Sequence, residues 1–169
     1  RLMEVAKFPP RMQSGTPACQ EVVWRSDEVD LDQLPIITCW PEDGGPYITF
    51  PMVITKDPKR GIRNVGMYRV QQLGRNTLAM HWQRHKVGAA HWREMAQRGE
   101  RMPTVIVVGA DPASMYSASA PLPPTVDEFI FAGFLRRKPV QLAKALTCDL
   151  EVPADPLAHP PGIPDLAMH

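Results

Sequence analysis

Nineteen prolines in 169 residues set the first limit on the fold. Each one fixes φ and removes a backbone donor, so helix interiors and central strands must fall between them. The share is about twice the ordinary one and predicts many chain reversals and no long uninterrupted helix. The length is enough to bury one core and favours one domain, or one and part of another.

Charge narrows the partners. With 19 Lys+Arg against 18 Asp+Glu and a formal net charge of +1, no basic excess points to nucleic acid or to a membrane surface. Any phosphate must be held by a local site. The longest apolar runs, such as "TVIVVGA", are too short to span a bilayer, and no charged start leads into a hydrophobic core like that of a signal peptide. The expectation is a soluble cytoplasmic protein with no integral membrane segment. Cys19, Cys39 and Cys148 are widely spaced and lack any CxxC, which predicts three reduced, mostly buried thiols rather than a disulfide framework or zinc site. The chain starts at Arg1 and closes on the proline-rich "PADPLAHPPGIPDLAMH". Residues 1–18 and 154–169 read as peripheral around a domain at 19–153, and the whole reads as a piece of something larger.

Between the ends the pattern is strand-rich, with helices placed late. "YITFPMVIT" puts Ile48, Phe50, Met52 and Ile54 on one face of a half-buried strand, although Pro51 marks an edge or bulge. "DPKRG" is a turn in which Gly61 can take positive φ. "NVGMYRVQQL" and, after "GRN", "TLAMHWQRH" complete an antiparallel meander. Leu78, Met80 and Trp82 share one face of its last strand; His81, Gln83 and His85 share the other. The period then changes. "KVGAAHWREMAQRG" reads as a helix ended by Gly99, "MPTVIVVG" as a short buried strand, and Asp111-Pro112 as a helix start. "TVDEFIFAGFLRR" is a further helix with basic residues at its C-terminal end. "VQLAKALTCDLEV" fits strand or helix, strand being preferred.

These segments carry a resemblance. "ITFPMVITKDPKRGIRNVGMYRVQ", "MHWQRHKVGA", "GADPASMYSASAPLPPTVDEFIFAGFLR" and "DLEVPAD" resemble, in order and with small gaps from Cys19 to Asp155, consecutive motifs of the UbiD family of decarboxylases, which includes 3-octaprenyl-4-hydroxybenzoate carboxy-lyase. The resemblance implies non-oxidative decarboxylation of aromatic or α,β-unsaturated carboxylic acids with prenylated FMN, and ubiquinone biosynthesis as one setting. It implies an α+β fold built on a split β-barrel of the flavin-reductase type with flanking helices. A flavin prenyltransferase would supply the cofactor, and the full-length parent would be a homo-oligomer.

Residue by residue, the resemblance implies that Asn64, His85 and Glu128 tie Mn²⁺ or Mg²⁺ to the flavin phosphate. Arg69 would lie near the reacting cofactor and the substrate carboxylate, with Val65 and Gln83 also beside the cofactor. Ser117, Ala118, Ser119, Ala120 and Pro121 resemble the loop that borders the cofactor and helps hold a potassium ion. An amide oxygen, a carboxylate and an imidazole suit a hard divalent ion better than zinc. The spacings alone are too loose to reveal such a set.

Each residue also has a plain structural reading. Thr125 and Glu128 fit a capping box, Asn64 fits a turn and Arg69 a solvated strand position. His81 and His91 read as surface or hydrogen-bonded histidines. In a strict strand Asn64 and Arg69 point to opposite faces, so a shared site requires a break in alternation, expected at Gly66 through a bulge or a late strand start. The family's proton-donating glutamates lie beyond "DLEVPA", and its N- and C-terminal α/β domains have no counterpart here. Two functions therefore stand: a decarboxylase, of which this chain would be a part inactive alone, or a non-catalytic module that holds flavin or phosphate.

Overall fold

The computed structural model describes residues 5–123 and 126–155. Its regular elements are strands β1 (Arg11–Met12), β2 (Tyr47–Ile48), β3 (Met52–Lys56), β4 (Arg63–Met67), β5 (Val70–Gly74) and β6 (Thr77–Met80), then helix α1 (Val87–Gln97) and strand β7 (Val105–Val107). Helices α2 (Pro112–Ser117) and α3 (Glu128–Arg136) follow, and strands β8 (Gln141–Lys144) and β9 (Glu151–Pro153) close the order. The class is α+β. The strands form three three-stranded sheets, ordered β1-β8-β9, β2-β5-β6 and β4-β3-β7, and no closed barrel among the described residues. Arg11–Met12, within the stretch read as peripheral, pairs in parallel with β8.

Strand β3 is the centre of the molecule, and its burial explains its sequence. Met52 and Ile54 face one hydrophobic cluster with Val65, Val105, Phe129, Leu142 and Leu150. Val53 faces a second with Ile48, Tyr68, Val70 and Ile106, on which Leu78, Met80 and Trp82 pack. Met52, Val53, Ile54 and Thr55 are all fully buried, because alternation sends successive side chains into different clusters. Each apolar side chain so enclosed contributes roughly 1.5–3 kcal/mol.

Two expected strands are each divided. The chain leaves pairing at Phe50 and Pro51, so Ile48 and Met52 enter different clusters and Phe50 is 62% exposed rather than sharing their face. Pro51 has no N–H to give a ladder, which accounts for the interruption. "NVGMYRVQQL" likewise divides into β4 and β5, which lie in different sheets.

The break in alternation falls at Tyr68 and Arg69, not at Gly66. The ladder is regular from Met52↔Met67 to Lys56↔Arg63, and Gly66, paired with Val53, does not take positive φ. Its lack of a side chain serves packing instead, since a Cβ there would stand 2.6 Å from Tyr68 Cε2. Tyr68 is 5% exposed, forms an edge contact with Trp82 at 4.9 Å between centroids, and accepts the Gly88 N–H at 3.0 Å.

The helix boundaries follow local chemistry. Gly99, at φ +69°, ends the turn after α1. Asp111 Oδ1 accepts the Ala113 and Ser114 N–H groups ahead of α2. "VQLAKALTCDLEV" forms the antiparallel β8–β9 pair. Cys19, Cys39 and Cys148 are of intermediate rather than full burial.

Because the Tyr68 ring is held on three sides, it cannot move aside for a methyl group. Gly66→Ala should destabilise the chain by roughly 1–3 kcal/mol, as overpacking does. A lower denaturation midpoint with unchanged slope checks this; an unchanged midpoint contradicts the packing role of Gly66.

Candidate functional site

The "DPKRG" turn fixes what β4 presents. Asp57 Oδ1 accepts the Lys59 and Arg60 N–H groups at 2.8 and 2.9 Å, and Gly61, at φ +67°, donates to the Asp57 carbonyl at 2.8 Å. This closed turn sets Thr55 opposite Asn64. Alternation then sends Arg63 and Val65 toward α3 and Asn64 to the opposite face.

Strand β4 lies at the edge of its sheet. The Val65 N–H is directed away from β3 and donates to Glu128 Oε2 at 3.0 Å. Glu128 is the first residue of α3, and the cap is Asp127, whose Oδ1 accepts the Phe129 N–H at 2.9 Å. Glu128 therefore does not act as the third residue of a capping box, and Thr125 lies outside the described residues. Burial, the largest influence, pushes the Glu128 carboxyl from its ordinary 4.5 up to about 7; hydrogen bonds from its own N–H and that of Val65 and the nearby Arg63 oppose this, while Asp127 adds to it.

Arg63 is already committed. Its Nη2 lies 3.4 Å from Asp127 Oδ2 and 3.7 Å from Glu151 Oε2, and its guanidinium sits over the Phe129 ring at 5.0 Å. Its Nε and Nη1 are buried without a hydrogen-bond partner among the described residues.

On the opposite face the Asn64 Nδ2 lies 3.5 Å from Thr55 Oγ1, and its amide also meets the Tyr68 hydroxyl. Burial raises the Tyr68 pKa above its ordinary 10, and the Glu128 charge adds to the rise. Asn64, Val65, Tyr68 and Glu128 thus share one locality.

The other candidate residues are placed separately. His85 is exposed in the turn that leads into α1 and makes no hydrogen bond or ion pair among the described residues. Gln83 is exposed and its carbonyl accepts the Lys86 N–H at 2.9 Å. Ser117 is buried and donates to the Ala113 carbonyl at 2.7 Å, while Ser119 donates to the Tyr116 carbonyl at 2.9 Å. The backbone through Ala118 and Ala120 winds down from α2 toward the exposed Pro121. Arg69 joins a third group: its Nη1 and Nη2 donate to Asp43 at 3.4 and 2.7 Å, and its guanidinium stacks 3.7 Å from the Tyr47 ring centroid. The Asp43 contact raises its pKa further.

Tyr68, Thr55, Asp43 and Tyr47 were not singled out from sequence. Thr55 could have been, because the short turn already implies its pairing with Asn64. No group of three or more His, Cys, Asp or Glu side chains is poised for a metal among the described residues. A cavity of about 860 Å³, lined by Val70, Leu78, Met80, Trp82, Trp92 and Ile106 among others, includes none of the candidate residues.

The raised carboxyl has a consequence for stability in metal-free solution. Between about pH 4.5 and 7 the folded chain holds the Glu128 proton more tightly than the unfolded chain, so stability falls as pH rises through that window. Glu128→Gln should flatten this slope and leave the variant more stable than the parent at pH 8. Denaturant titrations at pH 5 and pH 8 read it; parallel losses in both proteins would show that Glu128 is not desolvated.

Comparison with known proteins gives the family of the chain. The chain is 47% identical over 161 residues to an uncharacterized protein of Aquifex aeolicus, covering 90% of this chain and 33% of that one. It spans about a third of the length of such relatives. The structure is similar to the UbiD-class enzyme HmfF from Pelotomaculum thermopropionicum in complex with FMN, at 31% identity and a TM-score of 0.82, covering 92% of this chain and 36% of that one. An evolved dimeric form of HmfF in complex with prFMN aligns at a TM-score of 0.80 and 31% identity, over 90% and 37% of the two chains. The vanillic acid decarboxylase of Sedimentibacter hydroxybenzoicus aligns at a TM-score of 0.84 and 26% identity, over 91% and 35%. Residues 11–156 match the model of the 3-octaprenyl-4-hydroxybenzoate carboxy-lyase Rift-related domain, and the chain belongs to the UbiD family.

Proposed function

We propose that this chain is the cofactor-holding part of a non-oxidative decarboxylase that acts on an aromatic or α,β-unsaturated carboxylic acid with prenylated FMN. The observation that carries the reading is the desolvated Glu128 carboxylate, held on the edge of β4 by the Val65 N–H next to Asn64 in the strand. The FMN and prFMN complexes of HmfF support the flavin, and the vanillic acid decarboxylase supports the reaction class. The split-barrel relationship implied by the sequence, and assembly of the whole protein into a homo-oligomer, belong to the same reading.

Of the three proposed ligands, Glu128 is the one whose surroundings suit a divalent cation. Glu128 is desolvated and Arg63 is engaged elsewhere, so a hard cation would supply the charge the carboxylate lacks. Asn64 would add an amide oxygen and His85 an imidazole for Mn²⁺ or Mg²⁺, with positions left for flavin phosphate oxygens. The nine-residue helix α3 begins at Glu128 and directs its positive end to the same place. Val65 would border the flavin from β4, Gln83 from the turn before α1, and Ser117, Ala118, Ser119, Ala120 and Pro121 from the end of α2, where a potassium ion would also be held.

When bound, the prenylated flavin supplies the electron sink for loss of CO₂; the protein supplies position and polarity. Arg69 orients the substrate carboxylate. Two of its N–H donors serve Asp43, Cys39 is a further partner, its planar guanidinium rests on Tyr47, and donors remain for a second carboxylate. Asp43 is therefore a positioning residue. The pair is partly exposed, so its value is geometric rather than energetic. Protonation of the product requires a general acid. The resemblance assigns it to glutamates beyond "DLEVPA", outside the matched motifs.

Two measurements test the reading. Calorimetric titration with FMN should show binding that strengthens with Mn²⁺, and Glu128→Gln should weaken the metal-dependent part by at least about tenfold, as loss of metal-site groups does. An unchanged titration would refute the metal role of Glu128. The 169-residue chain, reconstituted with prenylated FMN and Mn²⁺, should release no CO₂ from an aromatic carboxylic acid. Release of CO₂ would show that the proton donor lies within this chain.

A further inference from the structure

We propose that Thr55 and His91 set which way the Asn64 side-chain amide faces, through a buried relay that runs Asp57–His91–Thr55–Asn64. His91 lies on α1, a histidine whose sequence context suggests only a surface or hydrogen-bonded role. In the structure it is 7% exposed and its Nδ1 lies 3.1 Å from Thr55 Oγ1, itself wholly buried. Thr55 Oγ1 in turn lies 3.5 Å from Asn64 Nδ2.

The orientation follows from the protons available. A threonine hydroxyl has one proton to donate and lone pairs to accept with. If His91 Nδ1 carries no proton, Thr55 must donate to it, and its oxygen can then only accept from Asn64. Asn64 is thereby obliged to present Nδ2, which leaves Oδ1 on the other edge of the amide. If His91 instead carried its proton on Nδ1, Thr55 would accept from the ring and keep its own proton for Asn64 Oδ1, so that either orientation of the amide would be allowed. Only the tautomer of His91 with a bare Nδ1 thus fixes which Asn64 atom is free.

Asp57 selects the tautomer. Its Oδ2 lies 4.0 Å from His91 Nε2, too far for a direct hydrogen bond but close enough to favour a proton on that nitrogen. Asp57 is itself pinned by the Lys59 and Arg60 N–H groups in the turn. Burial, which holds the His91 pKa below its usual value, keeps the ring neutral so that one nitrogen can accept. The Tyr68 hydroxyl, which meets the same amide, could donate or accept and so cannot fix the orientation alone.

The consequence for ligand binding rests on the proposed role of Asn64. A hard cation requires its amide oxygen and is repelled by its NH₂ group. Thr55 and His91 are then positioning residues that touch neither flavin nor metal.

The test is side-chain NMR of the ¹⁵N-labelled chain, joined to titration with FMN and Mn²⁺. The expected result is a His91 ring with its proton on Nε2 and Nδ1 bare, together with slowly exchanging Asn64 Nδ2 protons. Thr55→Val, which replaces the hydroxyl with a methyl, should speed that exchange and weaken Mn²⁺-dependent FMN binding about tenfold. Thr55→Ser should restore both. A His91 proton on Nδ1 in the parent chain would overturn the proposal, as would Asn64 exchange that is unchanged in a folded Thr55→Val variant. The parent tautomer is read without any variant, so misfolding of Thr55→Val leaves the question answerable. Should the expected tautomer and exchange appear while the parent shows no Mn²⁺-dependent FMN binding, the relay stands and the ligand role of Asn64 falls.

Discussion

The six-residue connection from Asp57 to Ile62 closes β3 onto β4 in a single register, and the placement of nearly every group at the candidate site descends from that pairing. A slip by one residue would turn Asn64 into the cluster that holds Phe129 and send Val65 to the face of Thr55. Fully buried apolar residues on both faces of β3 make such a slip costly. The same register leaves the Val65 N–H on the open side of β4. An unpaired edge donor needs a partner, and α3 supplies the Glu128 carboxylate.

Two basic side chains near the site behave differently because their surroundings differ. Arg63 is drawn into the protein, against Phe129 and between Asp127 and Glu151, and binds three elements together. Its charge is divided between two carboxylates, neither of them Glu128. Desolvation of Glu128 therefore outweighs attraction, and the carboxyl rises to about 7. Arg69 remains at the surface, held by Asp43 and Tyr47 with donors to spare. The first arrangement suits structure, the second suits recognition of a carboxylate.

Sequence revealed those features governed by neighbouring residues. The Asp111-Pro112 start of α2, the Gly99 end of α1 and the turn between β3 and β4 all depend on chemistry confined to a few positions. The alternation of Leu78, Met80 and Trp82 onto one cluster was likewise readable. What could not be read depends on residues distant in the chain. Whether Glu128 reaches back to its own helix or across to Val65 is decided by where β4 lies, and "TVDE" contains no trace of that. The Thr55–His91 contact joins a strand to a helix 36 residues away, with no periodicity to announce it. The division of the meander between sheets was hidden for a related reason, since continuous β-forming sequence says nothing about when a strand changes partner.

That change of partner ends the strict alternation between Asn64 and Arg69. An unbroken strand would put them on opposite faces, and a bulge at Gly66 would restore a common face only by disturbing the register that pairs Asn64 with Thr55. The protein instead keeps β4 regular through Met67 and interrupts it at Tyr68 and Arg69, after which β5 begins in another sheet. Gly66 makes this possible by yielding its side-chain space to the Tyr68 ring. Tyr68 then accepts the Gly88 N–H and ties the start of α1, with the His85 turn just before it, to the same junction. Arg69 follows at once and is met by Tyr47 and Asp43, while the Arg69 carbonyl accepts the His81 N–H at 3.1 Å and extends the β5–β6 pairing. One interruption thus leaves the register intact and delivers an arginine to a different sheet. It also anchors the helix whose leading turn carries the third candidate ligand.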